Sequence, residues 1–202
     1  MDKVVFLDRD GTINIEKEYL YKPEDFEFID GSIEAIKLLN QNGFKVIIVT
    51  NQAGIGRGYY TERDMENLHR YMNEILGHNG AYIDAIYFCP HHPTHGIGEY
   101  KTDCDCRKPK IGMLLQAEKK YKIDKSQSFM IGDKLSDVKA GRNYGIKSIL
   151  VATGYGEDFK SYTTEYDGYA ENLLMAVKKY IIGDWLYIII ESELDIKLRT
   201  MN

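Results

Sequence analysis

The sequence predicts one α/β domain built on a Rossmann-like, doubly wound and mostly parallel sheet. Three observations carry this expectation. Short continuous apolar runs at residues 4–7, 45–50, 82–89, 129–132 and 148–152 have the pattern of strands buried on both faces. Segments of helical period separate them, which makes the connections crossovers and the strands parallel. At 202 residues, 44% of them hydrophobic, the chain is long enough for one such core and barely for two.

The helices follow from local signals. Residues 32–42 carry Ile33, Ile36, Leu38 and Leu39 as an apolar stripe, with Gly43 as the stop. Thr61 and Asp64 have capping-box spacing, and Met65, Leu68, Met72, Ile75 and Leu76 continue one buried face. Residues 113–121 and 136–144 read as two more helices, the second ended by Gly145, and residues 169–182 as the last. The domain is therefore assigned to 1–182. Residues 183–202 form a C-terminal tail of unassigned role, whose apolar run Trp185 to Ile190 suits an edge strand, a partner-binding strand or an aggregation-prone segment.

A net charge of −5 provides no global field for nucleic acid, so an anionic ligand would need positive charge gathered locally. No apolar stretch approaches the ~20 residues of a membrane helix. No secretory leader is visible, and the three cysteines all fall within residues 89–106. An odd number so clustered favours a reducing compartment and a metal site over a disulfide framework, and the expected location is cytoplasmic.

In open parallel sheets ligands sit beyond the carboxyl ends of the strands. The first strand runs into Asp8-Arg9-Asp10-Gly11-Thr12, where a turn made possible by Gly11 and capped by Thr12 can aim both aspartates at one site. The run at 129–132 ends in Asp133, with Asp137 four residues on. Carboxylates at two strand ends suit a hard cation, and Mg²⁺ fits when phosphate supplies the remaining oxygens. The run at 45–50 ends in Thr50-Asn51-Gln52, a hydroxyl and two amides able to donate to phosphate oxygens. His69 and His78 read as helix-surface residues.

Residues 90–109 are too long for an idle connection. With Cys89 they hold Cys89-x-His91 and Cys104-x-Cys106, a tetrahedral set for structural zinc, with His92 and His95 as alternatives to His91. The loop runs from 89 to 109 and delivers Arg107 and Lys108 directly after Cys106.

The ordered motifs, Asp8-x-Asp10-Gly11-Thr12, then Thr50, then a lysine before a helix, then Gly132-Asp133-x-x-x-Asp137, resemble the haloacid dehalogenase superfamily of phosphatases over roughly residues 4–180. The cysteine loop, Thr50-Asn51-Gln52-x-Gly54-Ile55-x-Arg57-Gly58 and Gly132-Asp133-Lys134 are similar to the D-glycero-D-manno-heptose 1,7-bisphosphate 7-phosphatases, whose subfamily the histidinol-phosphate phosphatases share.

The resemblance implies Asp8 as nucleophile, Asp10 as proton shuttle, and Thr50 and Lys108 as stabilisers of the transferring phosphoryl group. It implies Mg²⁺ held by Asp8, the Asp10 carbonyl and Asp133, and zinc held by Cys89, His91, Cys104 and Cys106. Asp10 would be helped by a raised pKa beside other carboxylates. Glu16, Lys17, Glu18, Tyr19, Asn51, Gln52, Ala53, Arg107 and Lys134 would line the substrate side, with Ala53 standing where a serine is frequent. It further implies a zinc loop in place of a cap domain and a phosphorylated sugar as the substrate.

A monomer is expected, with no nucleic-acid or membrane partner. The competing readings are a histidinol-phosphate phosphatase, a zinc-stabilised binding module without catalysis, and a nucleic-acid end-processing phosphatase. The acidic charge disfavours the last.

Overall fold

A computed structural model of the chain describes residues 1–183, so the apolar run expected at 185–190 lies outside the described residues. Six parallel strands form one sheet in the order β3-β2-β1-β4-β5-β6. They are β1 (Val4–Leu7), β2 (Lys45–Asn51), β3 (Ala85–Cys89), β4 (Phe129–Gly132), β5 (Lys147–Val151) and β6 (Gly168–Ala170). The helices are α1 (Ser32–Gln41), α2 (Ala53–Gly56), α3 (Glu62–His78), α4 (Gly112–Glu118), α5 (Leu135–Tyr144) and α6 (Leu173–Ala176), which runs into a π-helical turn at Val177–Ile182.

Strand alternation explains the two layers. Val5, Leu7, Val46 and Ile48 point to one face and pack with Ala35, Ile36 and Leu39 of α1 and Leu173 and Ala176 of α6. Val4, Phe6, Ile47 and Val49 point to the other, against Met113, Leu114 and Ala117 of α4 and Ala140 and Tyr144 of α5. Both faces are covered, which is why the strands read as unbroken apolar runs.

Strand order reverses direction between β1 and β4, the two strands at the sheet centre. Their carboxyl ends therefore open a crevice at the topological switch point. Asp8 follows β1 and Asp133 follows β4. Residues 8–31, between β1 and α1, contain only one short 3-10 turn, Pro23–Asp25, and add no further domain over the crevice.

Three expectations change. The segment starting at 169 is not helical at once, because Gly168, Tyr169 and Ala170 pair with β5 as an edge strand. The third strand begins at Ala85 rather than 82, since Tyr82 and Asp84 are diverted into side-chain hydrogen bonds with Asn40 and β2. The helix expected to reach 121 stops at Glu118, and Tyr121 closes a turn onto the Ala117 carbonyl. By contrast, α3 begins with the Thr61–Asp64 capping box. No helix among the described residues is long and apolar enough to cross a membrane.

Candidate active site

The strand ends meet in a cleft of about 300 Å³ whose wall includes Asp8, Asp10, Glu16, Glu18, Tyr19, Thr50, Asn51, Gln52, Ala53, Arg107, Lys108 and Lys134. Lys17 is not among them. Its ammonium turns outward to the Asp25 carbonyl and Glu27, on the far side of the segment whose neighbours face the cleft.

At the floor, Lys108 is almost fully buried between two carboxylates, with Nζ 3.0 Å from Asp8 Oδ1 and 2.7 Å from Asp137 Oδ1. Burial alone would lower its pKa, but Asp137 and Asp8 outweigh that effect and hold it raised, so Lys108 is a cation. Asn51 fixes its backbone from both sides, accepting from Lys108 N–H at 3.0 Å and donating to Lys108 C=O at 3.2 Å.

Asp133 is fully buried and pushed up to about 8, first by burial and then by the charges of Asp137 and Asp8. Its Oδ2 accepts from Tyr155 N–H at 3.0 Å, while its Oδ1 is buried with no partner. Donor oxygens of Asp8, Asp133 and Asp137 lie within 4.8 Å of one another. Crowded carboxylates with an orphaned oxygen fit a hard divalent cation, which removes their mutual repulsion. Two glycines make the room: a Cβ on Gly11 would lie 2.3 Å from Asp133 Oδ2, and one on Gly154 2.2 Å from it.

Asp10 sits in a different environment from the one anticipated. Burial raises its pKa, but the Arg9 charge and hydrogen bonds from Asn14, Gln52 and Arg9 win, holding it below the usual carboxylate range. The crowding that raises a pKa falls on Asp133 instead. Arg9, the unassigned middle of the motif, is 0% exposed. Its Nη2 donates to both Asp10 oxygens, at 2.9 and 2.7 Å, and its Nε to Oδ1 at 3.1 Å.

The Gln52 amide is not a free phosphate donor, whereas Asn51 spends one N–H on the Lys108 carbonyl. Gln52 Nε2 donates to Asp10 Oδ2 and to Thr50 Oγ1, both at 2.9 Å. Since Thr50 accepts there, its own O–H remains available to donate into the cleft. Thr12 does not cap the turn, because its Oγ1 is buried without a partner.

His69 corrects another expectation: it is buried rather than on the surface, and its Nε2 lies 3.0 Å from Arg9 Nη1. Burial and the Arg9 charge depress its pKa from 6.5 to about 3, so it is neutral. Because the folded pKa is depressed, the unfolded chain binds more protons between about pH 6.5 and 3. Stability should fall by several kcal/mol as pH drops through that window. A His69→Gln protein should lose less, as read by urea denaturation at pH 7 and pH 4.5. Equal losses in the two proteins would contradict this.

The cysteine loop brings together the expected set. Cys89 Sγ lies 3.3 Å from Cys104 Sγ, Cys106 Sγ lies 3.0 Å from Cys104 Sγ, and His91 Nδ1 lies 3.4 Å from Cys106 Sγ. A tetrahedron with Zn–S near 2.3 Å has edges of about 3.8 Å, so the donors are slightly contracted but correctly grouped. Burial pushes the Cys89 thiol up, and Cys106 to about 11. His92 is occupied elsewhere, accepting from the backbone N–H groups of Thr94 and His95. The loop is stapled to the end of β2 by Gln52 N–H to Cys89 C=O at 2.8 Å and Gly56 N–H to Pro90 C=O at 3.0 Å.

The HAD-hydrolase-like family model matches residues 105–176. The D-glycero-beta-D-manno-heptose-1,7-bisphosphate 7-phosphatase of Haemophilus influenzae is 48% identical over 178 residues, covering 88% of this chain and 94% of that one. The enzyme of that name from Escherichia coli is 47% identical over 152 residues, covering 74% and 79%. Among solved structures, D,D-heptose 1,7-bisphosphate phosphatase from B. bronchiseptica, crystallised with magnesium and phosphate, superposes with a TM-score of 0.79. It is 30% identical and covers 88% of this chain and 97% of that one.

Fold, strand-end carboxylates and family match together define a phosphatase of the haloacid dehalogenase type. Within that class, the chain belongs to the heptose 1,7-bisphosphate phosphatase family.

Proposed function

We propose that this protein hydrolyses D-glycero-D-manno-heptose 1,7-bisphosphate at the 7-phosphate, through an aspartyl-phosphate on Asp8, with Mg²⁺ as cofactor and zinc as a structural ion. The observation that carries this reading is the meeting of Asp8, Lys108 and Asp10 at one strand-end crevice, in a chain so similar to enzymes of that name.

Asp8 Oδ attacks phosphorus, which splits hydrolysis into two displacements. Asp10 is a carboxylate in the free protein, so it takes up a proton from solvent as the phosphate dianion binds, passes that proton to the departing sugar oxygen and then takes one from the attacking water. Lys108, already cationic between Asp8 and Asp137, and the free Thr50 hydroxyl stabilise charge on the transferring phosphoryl oxygens. Mg²⁺, held by Asp8, the Asp10 carbonyl and Asp133, would neutralise repulsion between nucleophile and phosphate. Asp137 holds Lys108 and the Lys134 N–H, and so orients the inner groups.

A second anionic group on the substrate fits the cations elsewhere in the cleft. Arg57, His92 and Arg107 line the same cleft, and neither arginine has an acidic partner among the described residues. Arg107 Nη1 is held by the His91 carbonyl at 3.2 Å, so the cysteine loop sets its position. Arg107→Gln should raise KM for the bisphosphate about tenfold or more, with a smaller change in kcat. An unchanged KM would remove Arg107 from substrate recognition.

The proposal is tested by ³¹P NMR of the product. The expected signal is that of heptose 1-phosphate plus inorganic phosphate, whereas loss of the anomeric phosphate would contradict it.

A further inference from the structure

We propose that His69 and Arg9 form a two-residue positioning device for Asp10, in which His69 grips one end of the buried guanidinium and its other edge fixes the carboxylate. The inference rests on the proposed mechanism, in which Asp10 exchanges protons with the departing oxygen and water. It adds two residues to that mechanism.

Arg9 is held at both ends of its guanidinium. Nη1 meets His69 Nε2 at 3.0 Å, while Nη2 and Nε close on Asp10. Nη2 also reaches the Leu20 carbonyl at 3.2 Å. A guanidinium only donates, so His69 Nε2 is the acceptor and the ring proton sits on Nδ1. The neutral state favoured by burial agrees with that tautomer.

A planar fork with both ends occupied cannot rotate. Asn14 and Gln52 also donate to Asp10, at 3.0 and 2.9 Å, so freeing Nη1 would loosen the register of the carboxylate rather than release it. His69 can serve as a reference because α3 is independently anchored, by its capping box and by buried Met65, Leu68 and Met72. Through Arg9, 60 residues from His69 in sequence, a carboxylate in a loop is thus registered against a helix. Proton transfer needs heavy atoms within about 2.6–3.2 Å, so small errors in that register cost rate.

The alternative is that the pair only supports the fold, and leaving-group dependence separates the two. kcat/KM covers steps through departure of the leaving group and excludes later hydrolysis of the aspartyl-phosphate. A sugar alkoxide needs a proton to leave, whereas p-nitrophenolate does not.

His69→Leu should lower kcat/KM for the heptose bisphosphate about 10–100-fold, and for p-nitrophenyl phosphate by less than about threefold. His69→Gln, whose amide oxygen can accept from Arg9, should recover most of the loss on the sugar ester. Equal losses on both esters, or no recovery with His69→Gln, would overturn the proposal. If His69→Leu does not fold, His69→Met replaces it, being unbranched and close in volume. Should wild-type protein cleave another alkyl phosphate but not the heptose bisphosphate, the substrate reading fails. The comparison then runs on that other ester, and the positioning claim is still decided.

Discussion

Asp8→Asn is expected to lower phosphate release by at least about 10⁴-fold while leaving the protein folded. The amide is nearly isosteric with the carboxylate, but its oxygen is a far weaker nucleophile. The fold should survive because Lys108 keeps Asp137 at 2.7 Å, so the buried ammonium retains an anionic partner. The substitution also removes one of the charges crowding Asp133. Without added metal, the variant should therefore melt no lower than wild type. Malachite-green phosphate assays and thermal melts check both halves. Turnover within tenfold of wild type would end the nucleophile assignment.

The second large effect is expected at the cysteine loop. Cys106→Ser should reduce bound zinc well below one per chain, lower stability by several kcal/mol and slow turnover about 10²–10³-fold. The slowing is argued from position. Cys106 directly precedes Arg107 and Lys108, whose side chain must enter between Asp8 and Asp137. Asn51 grips the Lys108 backbone, but Arg107 takes its register from the His91 carbonyl, inside the same ligand set. Metal analysis, melts and initial rates on one preparation decide the point. Full activity in a protein that has lost its zinc would separate the loop from the active site.

The two central strands were legible because burial on both faces leaves little but apolar residues. Val4–Leu7 and Phe129–Gly132 stand where the sequence places them. The aspartates after them were legible for the same reason, as the first charges after an apolar run. Three thiolates and an imidazole so closely spaced have few uses, although sequence spacing left His92 and His95 open beside His91.

The edge strand was hidden. Gly168-Tyr169-Ala170 has no β-branched residue, and its glycine answers a tertiary demand, since a Cβ there would lie 2.8 Å from the Tyr180 ring. Arg9 and His69 were hidden more deeply. In sequence Arg9 is a charge in a polar turn and His69 a polar residue on an amphipathic helix. Their burial exists only because α3 passes over the first loop, which no local pattern encodes. The environment of Asp10 was misjudged for the same reason. The aspartates cluster as expected, but the cation between them in sequence closes on Asp10 and leaves the repulsion to Asp133.

The central claim is that this chain is a heptose 1,7-bisphosphate 7-phosphatase. It is tested most directly by kcat/KM with Mg²⁺ for that bisphosphate, both anomers included, against histidinol phosphate and common sugar monophosphates. The account predicts that one heptose bisphosphate anomer is preferred over every monophosphate by at least about 10²-fold. A preference for histidinol phosphate, or no discrimination across the panel, would contradict it.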